Sequence, residues 1–306
     1  MAEKLKRFFR GSQLFQWIVN IIIFVFLVVE LYPIIYVISC SISDPEAVNA
    51  GKVFLGPVGF TLEGYKRVLE YKDIWIGYAN TIFYTVVGTL INLIVTLPCA
   101  YALSRKDLAG SKFFMIFFMI TMYIGGGLIP SYLNIKSFGL VNTRAIMVIL
   151  GALSVYNMIV ARSFYSGSIP YELTEAARID GCSEFANFVK IVMPLSKALV
   201  GVMVLYYGIG HWNSYFNALV YLEDRSKFPL QIFLREVLLQ SKLLEETMSN
   251  NPMLSAEEIA YLAEIERQAD LIKYCVIIVS TLPMIIIYPK LQKYFEKGIM
   301  IGSVKG

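Results

Sequence analysis

The sequence predicts an all-α polytopic membrane protein with six transmembrane helices. The chain has 306 residues, of which 57% are hydrophobic and only 16% are charged, and its mean hydropathy is +0.61. An ordinary soluble domain carries roughly 25% charged residues, so this composition is typical of a chain that crosses a membrane several times. Residues 74–104 contain no charged side chain, which gives an apolar stretch long enough to span a bilayer.

Six apolar segments are long enough to cross the hydrocarbon core, which needs about 20 residues each. The predicted spans are residues 14–41, 74–104, 113–135, 144–165, 191–222 and 271–288. They form a transmembrane domain, 14–290, between an N-terminal segment, 1–13, and a C-terminal tail, 291–306. The basic residues of the N-terminal segment are Lys4, Lys6, Arg7 and Arg10. This charge places the N-terminus in the cytoplasm, and six spans return the tail to the same side.

Three features interrupt the predicted spans. Glu30 lies within the first span, where a charge costs roughly 2.5–3.5 kcal/mol on insertion scales, so it should face protein or water. Pro98 interrupts the second span. Residues 125–127 are three glycines followed by Pro130, and they should break the third span near its outer end. Irregular backbone at membrane depth survives only against protein or a water-filled cavity, so this break indicates either a pathway wall or a simple helix exit.

The residue content excludes several functions for this chain alone. The four cysteines, which have no CxxC spacing, are Cys40, Cys99, Cys182 and Cys275. We expect them to be packing residues rather than disulfide partners or metal ligands. His211 is the single histidine, so a metal cluster built on histidines is excluded. No GxxxxGK[ST] motif occurs, so another subunit must hold any ATP that drives the process.

The most charged short segment between two apolar stretches is the loop at residues 169–199. Its helix start and stop signals are, in order, Pro170, Glu172, Glu175, Asp180, Gly181, Ser183 and Glu184. Proline suits the first turn of a helix, carboxylates favour its positive end, and Asp-Gly ends it. We expect two short helices at about a right angle on the membrane surface, with a small-residue face that docks on another protein.

The spacing within this loop resembles the EAA loop of ABC importer permeases. Glu175-Ala176-Ala177 is followed after three residues by Gly181 and then, after nine more, by IVMP at 191–194. The family usually has leucine where Met193 stands, a change that keeps an apolar contact. The flanking sequence YELTEAARIDG resembles the carbohydrate-uptake, maltose-type branch of the family. The resemblance implies contact with an ATP-binding subunit for these residues: Glu172, Glu175, Ala176, Ala177, Asp180, Gly181 and Pro194.

The same resemblance implies a complete importer in a bacterial cell membrane. This chain would be one of two related permease subunits in a heterodimer, and each half would contribute to the pathway. Two ATP-binding subunits would hold ATP and magnesium, so this chain would need no cofactor and catalyse no reaction. A sugar-binding protein would dock outside, partly on residues 223–272. The tail of maltose-type permeases reaches the ATPase interface, which implies that role for Val304, Lys305 and Gly306.

Polar and aromatic residues are densest in the outer part of the fifth span, at 208–222. On a continuous helix, Tyr206, Gly210, Asn213 and Asn217 share one face. Sugars need hydrogen-bond partners for their hydroxyls and aromatic planes for their C–H faces. The predicted substrate-pathway residues are Asn80, Tyr84, Tyr206, Trp212, Asn213, Tyr215 and Asn217. The other interpretation is an interfacial aromatic belt, which many membrane proteins have.

Other functions remain as alternatives. The same scaffold in an ABC importer serves other solutes, such as peptides or phosphate. An ion-coupled secondary transporter would need several ionisable groups inside the membrane, and Glu30 is nearly alone there. A membrane enzyme would need a nucleophile–base pair or metal-ligand cluster, and no such pattern is visible in the sequence.

Overall fold

The structure is a computed structural model, and it describes residues 13–250 and 255–303. Every secondary-structure element in these ranges is a helix. The α-helices are α1 Gln13–Ser41, α2 Pro45–Asn49, α3 Glu63–Glu70, α4 Lys72–Ser104, α5 Ser111–Tyr123, α6 Leu128–Ser137, α7 Arg144–Ile149, α8 Val155–Ser168, α9 Tyr171–Ile179, α10 Glu184–Asn187, α11 Met193–Leu195, α12 Lys197–Trp212, α13 Phe216–Tyr221, α14 Leu230–Asn250 and α15 Ala256–Ser303. The prediction of an all-α membrane protein is confirmed.

Within the described residues, three helices are long and apolar enough to cross a membrane without a break: Phe15–Ser41, Lys72–Ser104 and Ile272–Pro289. Two further pairs pass the same test only if each bent pair counts as one span: Ser111–Tyr123 with Leu128–Ser137, and Glu184–Leu195 with Lys197–Trp212. These three continuous helices agree with the predicted first, second and sixth spans, 14–41, 74–104 and 271–288. The total of six spans stays a prediction.

The chain divides into two compact units. The first comprises the described parts of Met1–Tyr71 and Glu236–Ser280. Its small core packs Cys40 with Ala47 and Val53, and the Cys275 thiol donates to the Ser41 carbonyl at 3.2 Å. All four cysteines are free.

The second unit, Lys72–Arg235 with the described part of Thr281–Gly306, is built around α4. α8 and α12 both pack along α4. The shared core includes Ala100, Met158, Ala161 and Met203, each 0% exposed. Because α4 is a continuous 33-residue helix, it extends about 50 Å at 1.5 Å per residue. The predicted interruption at Pro98 is wrong, since the helix continues through it. Spanning helices tolerate proline because neighbouring groups satisfy the freed carbonyl.

The predicted break in the third span is confirmed. α5 and α6 meet at an angle of 113° across residues 124–127. Gly127 has a φ of +84°, in the left-handed region that glycine enters without strain. The glycine run therefore turns the chain sharply instead of letting one helix cross.

The predicted fourth span, 144–165, is wrong as a single helix. α7 has 6 residues and ends at Ile149, and residues 150–154 separate it from α8. Gly151 has a φ of +76°, and the Ser154 hydroxyl accepts from the Asn157 N–H at 3.4 Å, which caps the new helix. The GALS sequence at 151–154 therefore stops one helix and starts the next.

The predicted fifth span, 191–222, is also wrong as a continuous helix. A bend of 84° at Ser196 separates the helical stretch that ends at Leu195 from α12. A second break, at residues 213–215, separates α12 from α13. Since α12 ends at Trp212, Asn213 and Asn217 do not continue its face.

The region 223–272 contains the helix α14 and the start of α15. α14 begins at Leu230, next to Pro229. A capping box begins α15, because the Ser255 N–H donates to Glu258 Oε2 at 2.9 Å and the Glu258 N–H donates to the Ser255 hydroxyl at 3.2 Å. α15 then continues without a break through the predicted sixth span and beyond it.

Glu30 lies on an exposed face of α1. No described part of its own chain covers it, so the expectation that Glu30 faces protein or water stays a prediction. The N-terminal segment up to residue 12, with its four basic residues, lies outside the described residues.

Candidate functional site

The loop after α8 folds as two short helices, α9 and α10, joined at Gly181. Gly181 has a φ of +76°, and the Cys182 N–H donates to the Ala177 carbonyl at 2.8 Å across the turn. The Ser183 hydroxyl accepts from the Ala186 N–H at 3.3 Å and starts α10. The left-handed residue ends α9 as the Asp-Gly signal predicted, and glycine adopts it without a Cβ penalty.

Most of the residues predicted to contact an ATP-binding subunit form an exposed face of this loop. The exposed members are Glu172, Glu175, Ala176, Asp180, Gly181 and Pro194. Two large apolar side chains stand beside them, Ile179 at 85% exposed and Phe185 at 77%. Ala177 is different, since it is 5% exposed and packs inward. The face therefore combines carboxylates with apolar side chains that nothing in the described chain covers.

Ion pairs tie this loop to the end of α4. The Asp107 carboxylate, in the turn after α4, accepts from Arg105 Nε at 2.9 Å and from its second guanidinium nitrogen at 2.8 Å. Arg178, on α9, donates to the same carboxylate and, through Nε, to Glu184 of α10 at 2.7 Å. The Asp107 carboxylate thus lies between the guanidinium groups of Arg105 and Arg178. It bonds α9 directly through Arg178, and Arg178 in turn bonds α10 through Glu184. We call these four residues the charge cluster.

The charge cluster is stable over the physiological pH range. The Arg105 guanidinium, and then that of Arg178, holds the pKa of the Asp107 carboxyl well below its usual range. A carboxyl whose pKa falls on folding contributes stability that is present above the unfolded pKa, about 4, and lost only as the pH falls through the folded value. Between about pH 5 and 8, Asp107 therefore stays ionised.

Beneath the charge cluster, Tyr101 joins α4 to the second loop helix. Its hydroxyl accepts from Arg105 and from Asn187 Nδ2, each at 3.1 Å. Its ring lies 5.1 Å from that of Phe188 and 5.8 Å from that of Tyr165. Sequence reasoning missed these residues, because the short turn after α4 gives no sign of which distant side chain its charges meet.

A polar pocket lies where the two broken helices face the middle of α4. Its cavity is about 240 Å³, and its polar lining residues include Asn92, Asn157, Tyr206, His211, Ser214 and Asn217. Gly151 and Ser154, from the break between α7 and α8, also line it. None of the described lining residues is charged. Non-helical backbone at membrane depth is tolerated where it lines such a cavity, which explains why both breaks occur here.

Asn92 holds the break before α8 in place. It is 1% exposed, and its Nδ2 donates to the Gly151 and Ala152 carbonyls, each at 2.9 Å. Its Oδ1 lies 2.7 Å from His211 Nε2. Since both amide hydrogens go to carbonyls, Oδ1 is the acceptor and His211 carries its proton on Nε2. Asn92 of α4 therefore anchors both the carbonyls between α7 and α8 and the C-terminal end of α12.

Tyr207 completes the same anchor from α12. Its hydroxyl lies 2.7 Å from the Thr96 hydroxyl and accepts from the Ser154 N–H at 3.2 Å. The N-terminus of α8 is therefore fixed against both α4 and α12.

The structure separates the predicted pathway residues into two groups. Tyr206 and Asn217 line the polar pocket, and Asn213 and Tyr215 are exposed in the break beside it. Gly210 also lines the pocket, so part of the predicted face is assembled, although across a break instead of along one helix. The remaining members, Asn80, Tyr84 and Trp212, are buried at 4%, 1% and 4% exposed.

The buried group serves the packing of α4. Asn80 Nδ2 donates to the Ser226 and Phe228 carbonyls at 2.8 and 3.0 Å, and the Tyr84 hydroxyl donates to the Lys227 carbonyl at 2.7 Å. The Trp212 ring meets Tyr78 edge to face at 6.3 Å. A substrate contact by these residues stays a sequence prediction.

Helices long and apolar enough to cross a membrane, helices that break around a polar pocket, and an exposed loop of two short helices are typical of membrane transport proteins. Residues 74–225 match the family described as binding-protein-dependent transport system inner membrane component. The chain belongs to this family, the permease subunits of ABC importers, as the sequence predicted. It is a transport permease of the inner membrane.

Similar proteins cover nearly the whole chain. The polygalacturonan/rhamnogalacturonan transport system permease protein YtcP of Bacillus subtilis (strain 168) is 34% identical over 96% of this chain and 99% of its own length. Protein LplC of the same organism is 37% identical over 91% and 90%. The crystal structure of a bacterial ABC transporter involved in the import of the acidic polysaccharide alginate matches with a TM-score of 0.81 and 35% identity, over 94% of this chain and 98% of that one.

Proposed function

We propose that this chain forms one half of the transmembrane pathway of an importer for oligosaccharides, and specifically for acidic ones. Two of the proteins to which it is similar act on acidic polysaccharides by name, polygalacturonan/rhamnogalacturonan and alginate. The observation in the molecule that supports saccharide passage is the uncharged, amide-rich pocket at the middle of α4. Amides and hydroxyls match sugar hydroxyls, and the Tyr206 ring offers a plane for a sugar C–H face.

The partners follow from the family. We propose a second, related permease as the other half of a heterodimer, two ATP-binding subunits on the cytoplasmic face, and a solute-binding protein outside. ATP and magnesium would bind on the ATPase subunits. Both termini would be cytoplasmic. The predicted tail contact of Val304, Lys305 and Gly306 lies outside the described residues and stays a prediction.

The exposed face of α9 and α10 is the proposed dock for an ATP-binding subunit. When ATP draws the two ATPases together, the loop would move with them. The charge cluster and Tyr101 attach the loop to the end of α4. Asn92 lies on the same helix, nine residues before Tyr101, which is about 14 Å along the helix axis. Because α4 is unbroken, a displacement of the loop reaches the pocket as a displacement of one rigid helix.

The substrate class is tested by reconstituting the four-subunit importer in proteoliposomes with its binding protein. We expect ATP-dependent uptake of a galacturonate trimer and of similar acidic oligomers. Uptake of a peptide or phosphate, with no saccharide transported, would replace the saccharide proposal by the importer of a non-sugar solute.

The mechanical link is tested with Asp107→Asn. The substitution removes the charge between Arg105 and Arg178, so the two guanidinium groups repel and the loop loosens from α4. We expect the saccharide transported per ATP hydrolysed to fall at least fivefold while ATP hydrolysis continues. The Asp107 and Arg178 side chains are 33% and 46% exposed, and pairs of that exposure contribute only about 0.2–1 kcal/mol. The Arg105 side chain is 9% exposed, but it keeps its contacts with the Tyr101 hydroxyl and Glu184, so the midpoint of thermal unfolding should change little.

A matched control is Glu63→Gln, which removes the same charge from the exposed Arg67–Glu63 pair at 3.0 Å in the other unit. This control should transport as much saccharide per ATP hydrolysed as the wild type. If Asp107→Asn also does so, the charge cluster does not transmit the movement.

A further inference from the structure

One buried side chain in the polar pocket has no hydrogen-bond partner among the described residues. Asn157 is 8% exposed, and its side-chain amide makes no hydrogen bond with the described residues, although its backbone N–H does. The Asn157 amide differs from the polar groups that are fully buried and unpaired among the described residues, such as the Thr89 and Tyr165 hydroxyls. Its amide therefore opens into the pocket that it lines. Buried amides are nearly always paired, so an open one facing a cavity indicates a missing partner.

The same residue lies in the first turn of a 14-residue helix, α8. Ser154, the capping residue, and Asn157 both line the pocket, so the N-terminus of α8 forms part of the pocket wall. The N–H groups of the two lining residues are already bonded, that of Ser154 to the Tyr207 hydroxyl and that of Asn157 to the Ser154 hydroxyl. What this end of α8 contributes to the pocket is therefore the positive end of the helix dipole. Helix ends of this kind, at breaks near the middle of a membrane, favour the anionic group of a substrate.

The rest of the pocket suits one sugar ring. Ser214 and Asn217 are half-buried in its lining, and Tyr206 offers an aromatic ring that is 41% exposed. The volume of about 240 Å³ is below the roughly 300–1,000 Å³ of sites for drug-sized ligands, so the pocket holds a single ring instead of an oligomer. No described lining residue is a carboxylate that would repel an anion.

We propose that this pocket binds one uronate ring of the saccharide in transit. The carboxylate lies at the start of α8 beside the Asn157 amide, the ring hydroxyls meet Ser214 and Asn217, and the C–H face rests on Tyr206. Recognition by a helix end and an amide, without an arginine, gives binding weak enough to release the ring, which a pathway requires. This inference rests on the proposed function and deepens it.

The test compares three chains in the complete importer: wild type, Asn157→Asp and Asn157→Leu. Asp has the shape of Asn but places a negative charge against the carboxylate, whereas Leu removes the hydrogen bonds without adding charge. Uptake of a galacturonate trimer should fall at least tenfold in Asn157→Asp and less, about threefold, in Asn157→Leu. Stimulation of ATP hydrolysis by the binding protein reports that each variant is assembled. Asn49→Asp, an exposed position in the other unit, controls for the added charge.

The order of the two variants decides the result. If Asn157 only packs, Asn157→Leu is the more disruptive change. A larger loss of galacturonate uptake in Asn157→Leu than in Asn157→Asp therefore overturns the inference. Unchanged uptake in Asn157→Asp overturns it as well. If the wild-type importer takes up no saccharide at all, the proposed function fails, which is a different outcome from a wild type that transports and a pocket variant that is indifferent.

Discussion

Replacing Gly181 by valine should abolish transport while the chain still inserts in the membrane. Gly181 has a φ of +76°, and a Cβ at this position would meet no atom within 4 Å. The cost of valine is therefore backbone strain alone, about 1–3 kcal/mol for a non-glycine residue in the left-handed region, and highest for a β-branched side chain. The chain can relieve that strain by changing the turn between α9 and α10, which displaces the exposed face proposed to dock on the ATPase.

Two further substitutions separate this explanation from a general loss of folding. Gly181→Asn should keep most of the transport, because asparagine enters the left-handed region at low cost. Gly56→Val also meets no neighbour within 4 Å, and Gly56 lacks a positive φ, so this variant should behave as wild type. Transport by proteoliposomes and co-purification of the ATPase subunits are the measurements. Normal uptake by Gly181→Val would show that the turn geometry does not matter for coupling.

The helical class and the loop could be predicted because their signals are local. Apolar length identifies a spanning helix, and Pro170 and Gly181 mark helix ends through their own backbone preferences. The breaks inside the fourth and fifth predicted spans were missed for the opposite reason. Gly151 and Asn213 lie within stretches that are apolar enough to span a membrane. Each break is stable because distant residues supply a hydrogen-bond partner or a cavity for the backbone groups that the break leaves unpaired.

The pocket shows the same division. Tyr206 and Asn217 were found because polar and aromatic residues stand out in an apolar segment. Asn92 and Asn157 look the same in the sequence, yet one is fully bonded and the other is open to the pocket. Only the positions of α4 and α8 distinguish them. The buried roles of Asn80 and Tyr84 likewise depend on a distant loop. Their partners Ser226 and Lys227 lie 146 and 143 residues further along the chain.

Asn92→Leu should strongly destabilise the second unit. It leaves the Gly151 and Ala152 carbonyls and the His211 N–H without their partner in a buried site. Each unpaired group costs about 1–3 kcal/mol in soluble proteins, and hydrogen bonds between spanning helices average about 0.6 kcal/mol, so the total loss for the three groups is roughly 2–9 kcal/mol. The thermal unfolding midpoint of the purified importer should fall by several degrees, and transport should fall more than tenfold.

The control for this prediction is a hydroxyl on the same helix that has no partner. The Thr85 hydroxyl oxygen is buried and makes no hydrogen bond with the described residues. Thr85→Val removes it with little change of shape, so the unfolding midpoint should stay the same or rise slightly. If Asn92→Leu is as mild as Thr85→Val, the breaks in α7–α8 and α12–α13 are held by packing and not by Asn92. A large difference means that one amide on the unbroken helix sets the geometry of the pocket, and that any movement of α4 must move both breaks with it.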